Sequence, residues 1–114
     1  MFYVLVNSKG IEVRPAKKLP GVQETGSLVG IEGQSAFFEV ASYGSFSEQG
    51  ITILCDDEFL LKEFKPVLLT AEGRVIHGQC LIVGTNRQAE DFCLLNQKQV
   101  ELVKKELRLI KPTN

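Results

Sequence analysis

The chain has 114 residues, a length that suits one domain with a single hydrophobic core and is too short for two. Hydrophobic residues make up 44% of it and charged residues 24%, values that argue against a disordered, fibrous or membrane protein. The formal net charge of -1 disfavours tight nonspecific binding to duplex nucleic acid, because that binding needs an excess of basic residues.

The N-terminal sequence MFYVLVNSKG predicts a first strand and not a targeting segment. It lacks the basic start and long apolar core of a signal peptide. No apolar run along the chain is long enough to span a bilayer. We therefore expect a cytoplasmic protein without a membrane partner.

The first two predicted elements form a β-hairpin. Residues 2–6, FYVLV, are β-branched and aromatic, NSKG provides the turn, and apolar and charged residues alternate in residues 11–15, IEVRP. The first strand is apolar on both faces, which indicates an internal position in a sheet. The second strand ends at Pro15, which cannot donate a backbone hydrogen bond, so we expect it at an edge.

The middle of the chain predicts shorter elements. A short helical segment is expected around residues 22–29, SAFFEVASY and ITILC predict strands, and GSFSEQG predicts a turn. In FLLKEFKPVLLT, Pro66 disfavours a continuous helix, so we expect an irregular segment that packs Leu60, Leu61 and Phe64 inward. After a turn at AEGR, residues 75–84, VIHGQCLIVG, predict one long strand.

The C-terminal segment predicts the clearest helix. Asn96 is a favourable N-cap, and Gln99 stands three residues later, in the capping-box position. Pro112 is expected to end the helix. The apolar face is expected to include Val100, Val103, Leu107 and Ile110.

Together these elements predict an α+β fold in a single domain over residues 1–114. We expect a mostly antiparallel sheet of about five strands, with the C-terminal helix packed on one face and a short helical segment after the first hairpin. No repeat, low-complexity segment or linker divides the chain.

Cysteine and histidine offer little sign of a metal site. Cys55, Cys80 and Cys93 are odd in number and have no C-x-x-C spacing, so neither a disulfide framework nor a zinc knuckle is indicated. His77 and Cys80 are three residues apart and would point to opposite faces of a strand, unless a bulge at Gly78 turned one of them. We predict no metal ion and no cofactor, with buried, reduced thiols.

The sequence also lacks a pattern of residues typical of catalysis. Asp56, Asp57 and Glu58 are adjacent, without the D-x-D-x-D-G spacing of a calcium loop, and are interpreted as a solvated strand end. His77 is the one histidine, and no G-x-S-x-G motif occurs. We predict no catalytic residues, which argues against an enzyme.

A small-ligand site is the alternative. Glycines between residues 21 and 33 could bring backbone N–H groups close to a phosphate, although neither common phosphate-binding motif is present. The basic residues Arg14, Lys17 and Lys18 could add positive charge to such a site. The alternative is that they are solvated and protect an edge strand from pairing with another strand. The candidate ligand-binding residues are Arg14, Lys17, Lys18, Gly26, Gly30 and His77.

Four stretches of the chain carry a resemblance to known proteins: VQETGSLVGIEG, ITILCDDEFLLKEFKP, RVIHGQCLIVGTN and EDFCLLNQKQVELVKKEL. Their order resembles a family of small uncharacterised proteins of phages, prophages and conjugative elements, over most of the chain. In the last two stretches a glycine-bounded strand precedes a capped helix start, matched by Gly78, Gly84, Leu95, Asn96 and Gln99. The resemblance implies a genomic setting and no catalytic residues.

Two functional hypotheses follow. The first is a non-enzymatic accessory protein of a phage or mobile element that acts by binding a host protein or a second copy of itself. The alternative is a small-ligand or nucleotide-binding module that sequesters its ligand.

Overall fold

The computed structural model describes residues 1–21, 24, 28–29, 38–41, 44–56, 64–71, 73–86 and 91–110. Within them the chain forms mostly antiparallel sheet with two short helices, the α+β class that the sequence predicts. The strands are β1 (Phe2–Asn7), β2 (Gly10–Pro15), β3 (Phe38–Ala41), β4 (Ile51–Asp56), β5 (Pro66–Leu69), β6 (Val75–His77), β7 (Cys80–Asn86), β8 (Asp91–Cys93) and β9 (Arg108–Leu109). The helices are α1 (Gly44–Glu48) and α2 (Gln97–Glu106).

The strands form two sheets. The first has the order β2-β1-β7-β4-β3, with β8 also paired to β7, and the second has the order β6-β5-β9. Each of these strand pairs is antiparallel. The hairpin of β1 and β2 is confirmed, as are the internal position of β1 and the edge position of β2. The prediction of about five strands is not confirmed, because six strands form the first sheet alone.

The first sheet is buried on both faces, because successive residues of a strand point to opposite sides. One face packs against α1, α2 and the second sheet. This main core includes Val4, Val6, Phe46, Ile53, Leu68, Ile76, Ile82, Val100 and Val103. The opposite face carries a smaller cluster of Leu5, Val29, Leu54, Leu81 and Val83.

Helix α2 begins where the sequence predicts and ends earlier. The side chain of Asn96 accepts from the Gln99 N–H at 2.9 Å, and the side chain of Gln99 accepts from the Asn96 N–H at 2.8 Å. The helix ends at Glu106 because Leu107 is extended and buried. The expectation of a helix through Ile110 is therefore wrong: that residue's N–H donates to Val67 O, at 2.8 Å, just after β9.

The predicted long strand over residues 75–84 is divided in two. Val75–His77 forms β6 in the second sheet, whereas β7 begins at Cys80 in the first. The chain turns at Gly78, whose φ of +80° is a conformation that residues with a side chain rarely adopt. The sequence predicts a single strand because apolar residues occur on both sides of this glycine.

Two other predicted irregular segments contain regular structure. GSFSEQG includes the short helix α1, which buries Phe46 in the main core. FLLKEFKPVLLT includes β5, in which Pro66 is the first residue, where a missing N–H is tolerated. Phe64 is half-buried, whereas Leu60 and Leu61 lie outside the described residues.

The predicted helical segment after the hairpin is described in part. Glu24, Leu28 and Val29 are helical, and the rest of residues 22–29 lies outside the described residues. Val29 is buried against the smaller cluster, so this segment lies on the face of the first sheet opposite α2.

Candidate functional site

The structure places the predicted ligand-binding residues in separate parts of the fold. Arg14 belongs to β2, and Lys17 and Lys18 follow that strand as exposed residues. His77 ends β6, in the second sheet. Gly26 and Gly30 lie outside the described residues. Three of the basic candidates thus share one stretch of chain at the end of β2, and His77 belongs to a different sheet.

The charge of Arg14 is already paired. Arg14 Nη2 lies 2.9 Å from Glu12 Oε2, and these side chains are 38% and 56% exposed. The two residues are two apart in one strand and so share a face, on which Tyr3 stands opposite Arg14. The Glu12 carboxylate, followed by the Tyr3 hydroxyl, raises the pKa of Arg14 by hydrogen bonding. The group stays cationic at every physiological pH.

His77 has a structural contact with the chain before β5. Its Nδ1 lies 2.9 Å from the carbonyl oxygen of Phe64, and because a carbonyl can only accept, Nδ1 carries the proton in this bond. The next residue makes a second hydrogen bond to the same segment: the Gly78 N–H donates to Lys65 O at 2.9 Å. His77 therefore fixes the end of β6 against residues 64–65.

Cys55 and Cys80 are buried neighbours in the main core. Each lies one residue beyond the pair Leu54–Leu81 of β4 and β7, and both belong to the same buried cluster. Both are present as thiols, and burial, followed by the charge of Cys55, raises the pKa of Cys80. A thiol held in its neutral form is a poor nucleophile and metal ligand. Within the described part of the chain, no group of three or more metal-ligating side chains occurs.

Asp56 is not part of a solvated strand end, so that expectation is wrong for this residue. It is 1% exposed and is the last residue of β4, where it pairs with Phe38 of β3. The strand extends one residue beyond the apolar stretch ITILC, and that residue is still paired with β3. Asp57 and Glu58 lie outside the described residues.

The concave surfaces formed by described residues include two open depressions, and none of the predicted ligand-binding residues lines either of them. One, of about 340 Å³, lies at the start of α2, and the other, of about 350 Å³, lies between the β5–β6 turn and the end of α2. The first is lined by Gln49, Asn96, Lys98, Gln99 and Leu102. Arg14 and His77 thus do not converge on either of these concave surfaces.

The outer edge of β2 is the most distinctive surface of the hairpin. Ala16 N–H donates to Met1 O at 3.0 Å, which makes these residues a hydrogen-bonded pair. Hydrogen-bonded and non-hydrogen-bonded pairs alternate along an antiparallel ladder. The backbone groups of Ile11, Val13 and Pro15 therefore point away from β1, toward the outside of the sheet.

No described strand pairs with this outer edge, because β2 is the terminal strand in the sheet order. Ile11 and Val13 each present an N–H donor and a C=O acceptor there, whereas Pro15 presents only its C=O. Pro15 at the end of IEVRP predicts an edge strand. Which residues face outward could not be read from the sequence, because that depends on the two-residue loop Ser8–Lys9, which fixes the register of the hairpin.

Comparison with known proteins identifies the family. A family model described as "Domain of unknown function (DUF3846)" matches residues 9–108, which are 100 of the 114 residues. The chain belongs to the DUF3846 family. The DUF3846 match includes all of β2 and leaves β1, its partner in the hairpin, outside its bounds.

Other comparisons add no relative of known activity to this DUF3846 chain. No curated protein matches it, and no solved structure matches it. Among the described residues, no helix is both long and apolar enough to cross a membrane. The function must therefore be argued from the surface chemistry of the chain.

Proposed function

We propose that this DUF3846 chain is a non-enzymatic module that binds protein by adding a partner strand at β2. The observation that carries the proposal is the outward orientation of the Ile11 and Val13 backbone groups at a terminal strand. An extended segment that pairs with such an edge gains backbone hydrogen bonds, and its alternate side chains provide specificity.

The side chains of β2 suit this role. Ile11 and Val13 are half-buried against the main core, which holds the strand flat on the sheet. Glu12 and Arg14 are exposed on the other face and present one charge of each sign. A partner strand is therefore recognised by backbone hydrogen bonds together with a charge pattern of acid and base two residues apart.

Pro15 restricts strand pairing at the outer edge of β2 but does not prevent it. A proline and nearby lysines are devices by which proteins discourage pairing at a strand edge. Here Pro15 removes one outward donor at the end of the strand, while Ile11 and Val13 keep theirs. The edge thus accepts a short partner segment in a limited number of registers, which favours specific pairing over aggregation.

We further propose that the module is an accessory protein of a phage or mobile element, which acts on a host protein or on a second copy of itself. The support for this setting is the resemblance of the chain to small proteins of such elements. The support for binding in place of catalysis is the separation of His77 from the basic residues that follow β2.

The proposal is tested by removing one outward N–H. Val13→Pro deletes a donor that β1 does not use, and proline is tolerated at an edge strand whose N–H faces outward. The matched control is Val13→Thr, which keeps the N–H, the β-branched shape and the strand propensity. Each 114-residue variant is used as bait in a lysate of the source organism, with circular dichroism to verify folding.

We expect proteins that the wild type and Val13→Thr retain to be lost from Val13→Pro. If the folded proline variant retains the same proteins, the edge is not the binding surface and the proposal is wrong. If both variants lose them, the side chain of Val13 and not its backbone is responsible, which also contradicts strand addition.

The small-ligand or nucleotide-binding alternative remains a second proposal. Its support is the exposed pair Lys17 and Lys18 next to Arg14. It has less support than strand addition, because the guanidinium of Arg14 is already paired with Glu12 and Tyr3.

A further inference from the structure

We infer that β2 is self-complementary and pairs with β2 of a second copy, antiparallel, about a twofold axis at Val13. This inference rests on the proposed function and names its partner. Its support is the order of charges along the strand. Opposite charges face each other in one symmetric register, whereas like charges face each other in the two neighbouring symmetric registers.

The hydrogen bonds of this register use the groups that point outward. With Val13 opposite Val13 of the second copy, each Val13 N–H donates to the other's carbonyl. Ile11 then stands opposite Pro15 of the second copy, and each Ile11 N–H donates to a Pro15 carbonyl. The missing N–H of Pro15 is tolerated, because this register uses that residue as an acceptor.

The same register brings opposite charges together twice. Glu12 of each copy stands directly opposite Arg14 of the other, in a non-hydrogen-bonded pair, where side chains approach most closely. Within each copy Arg14 Nη2 is already 2.9 Å from Glu12 Oε2. Pairing therefore assembles two carboxylates and two guanidinium groups into one alternating network on the exposed face of the strand.

The two neighbouring symmetric registers place like charges in contact. An axis at Glu12 would set the two Glu12 carboxylates opposite each other, and an axis at Arg14 would do the same for the two guanidinium groups. Like charges directly opposite each other destabilise a strand pair. The sequence of charges along β2 thus selects the axis at Val13.

The ends of the strand keep the association weak. In this register Lys9 of one copy stands opposite Lys17 of the other, each beyond the bounds of β2 and on a turn or bend. Their like charges disfavour an extended interface, so a reversible dimer is expected. A weak dimer leaves the edge available to other partner strands at low concentration.

The test uses charge reversal, followed by sedimentation velocity over a concentration series. Glu12→Arg and Arg14→Glu each create two like-charge pairs in the proposed register. The double variant E12R/R14E restores both opposite-charge pairs with their signs exchanged. A mixture of the two single variants provides a second form of rescue, because every cross-strand charge pair between them is complementary.

We expect a concentration-dependent monomer–dimer equilibrium for the wild type, a dimer Kd raised about tenfold or more by each single variant, and recovery in the double variant and in the mixture. These side chains are exposed, so the variants should remain folded, and circular dichroism verifies this. In amide hydrogen exchange, Ile11 and Val13 should become protected as concentration rises, whereas Glu12 and Arg14 should be protected throughout.

A wild-type chain that stays monomeric at millimolar concentration would overturn the inference, as would single charge variants that dimerise as well as the wild type. A different result decides the proposed function. If the chain stays monomeric but the Val13→Pro variant still loses a captured protein, strand addition stands and the partner is a different chain. If Val13→Pro dimerises as the wild type does, the dimer does not use β2 and this inference is wrong, whereas strand addition to another protein is judged by the proteins that Val13→Pro retains.

Discussion

The side chain of Phe64 lies against the backbone of Gly78 so closely that a Cβ at Gly78 would be 2.5 Å from Phe64 Cδ2. Two hydrogen bonds reinforce the contact: Gly78 N–H to Lys65 O, and His77 Nδ1 to Phe64 O, both at 2.9 Å. This is the point at which the chain leaves the second sheet for the first. The turn therefore needs a glycine for two reasons, a positive φ and the absence of a side chain.

Replacement of this glycine tests the contact. Gly78→Ala should lower the free energy of unfolding by about 2–4 kcal/mol, because alanine at positive φ costs about 1–2 kcal/mol and overpacking against Phe64 adds a similar amount. Gly73→Ala is the matched control, since Gly73 has a φ of +84° and no atom within 4 Å of an added Cβ. It should cost about 1–2 kcal/mol. Equal losses in urea denaturation would show that the Phe64 contact contributes nothing.

Gln99 joins the start of α2 to the residues that follow α1, so we expect its loss to cost more than that of Gln97. Its side chain completes the capping box with Asn96 and also donates to Gln49 O at 2.9 Å. Gln99→Ala should lower the free energy of unfolding by about 1–2 kcal/mol. Gln97→Ala, which removes an exposed bond to Glu101, should lower it by about 0.5 kcal/mol or less. If thermal denaturation gives the two variants the same stability, the tie to Gln49 is unimportant.

Burial of Cys80 makes stability depend on alkaline pH. Because burial raises the pKa of this thiol from its ordinary value of 9.0, the unfolded chain releases the proton at a lower pH than the folded chain. The full contribution is present below pH 9, and above it stability should fall by up to about 1.4 kcal/mol per pH unit from this group.

The measurement is the difference in urea stability between pH 7.5 and pH 10, compared with that of Cys80→Ala. The variant lacks the ionisable group and should show a smaller loss, although its stability at pH 7.5 is lower because of the cavity. An identical pH dependence in the two chains would contradict the burial of this thiol.

Nucleotides should not stabilise the chain. A ligand at about 100 times its Kd adds about 2.7 kcal/mol to the free energy of unfolding, which would raise the melting temperature by several degrees. We expect no such shift with a panel of nucleotides, because Arg14 is paired and His77 lies in the other sheet. A shift that disappears in a Lys17→Ala, Lys18→Ala double variant would favour the nucleotide-binding alternative instead.

The parts of the fold that local chemistry determines were predictable from the sequence. The capping box at Asn96 and Gln99 has a specific spacing, and the structure forms both of its hydrogen bonds. The hairpin was equally clear, because a β-branched strand, a polar turn and an alternating strand follow one another. In each case the interacting residues are close in the chain.

The parts that depend on distant contacts were not predictable. Helix α1 is five residues long and depends on the burial of Phe46, which no local pattern reveals. Helix α2 ends at Glu106 because Arg108 and Leu109 pair with β5, about forty residues earlier in the chain. The same reason applies to Asp56, whose place at the end of β4 depends on pairing with β3. Contacts between residues far apart in the chain override the local preference in all three cases.

The sequence predicts which strand carries the candidate site, but it does not predict how the backbone groups of that strand are oriented. The sequence identified Arg14 as a candidate and β2 as an edge strand. It could not show that Ile11 and Val13 point their backbone groups outward, because that depends on which residues of the hairpin exchange hydrogen bonds. The sequence allows the basic residues to be either a ligand site or a solvated edge, and the pairing of Arg14 with Glu12 is evident only in the structure.

Backbone amide hydrogen exchange of β2 in dilute solution, followed by NMR, measures directly which β2 amides point outward. We predict an alternating pattern: the amides of Glu12 and Arg14 are bonded to β1 and exchange slowly, whereas those of Ile11 and Val13 exchange roughly tenfold faster or more. If Ile11 and Val13 are as protected as Glu12 and Arg14 in the dilute monomer, the edge is already covered and cannot be the binding surface.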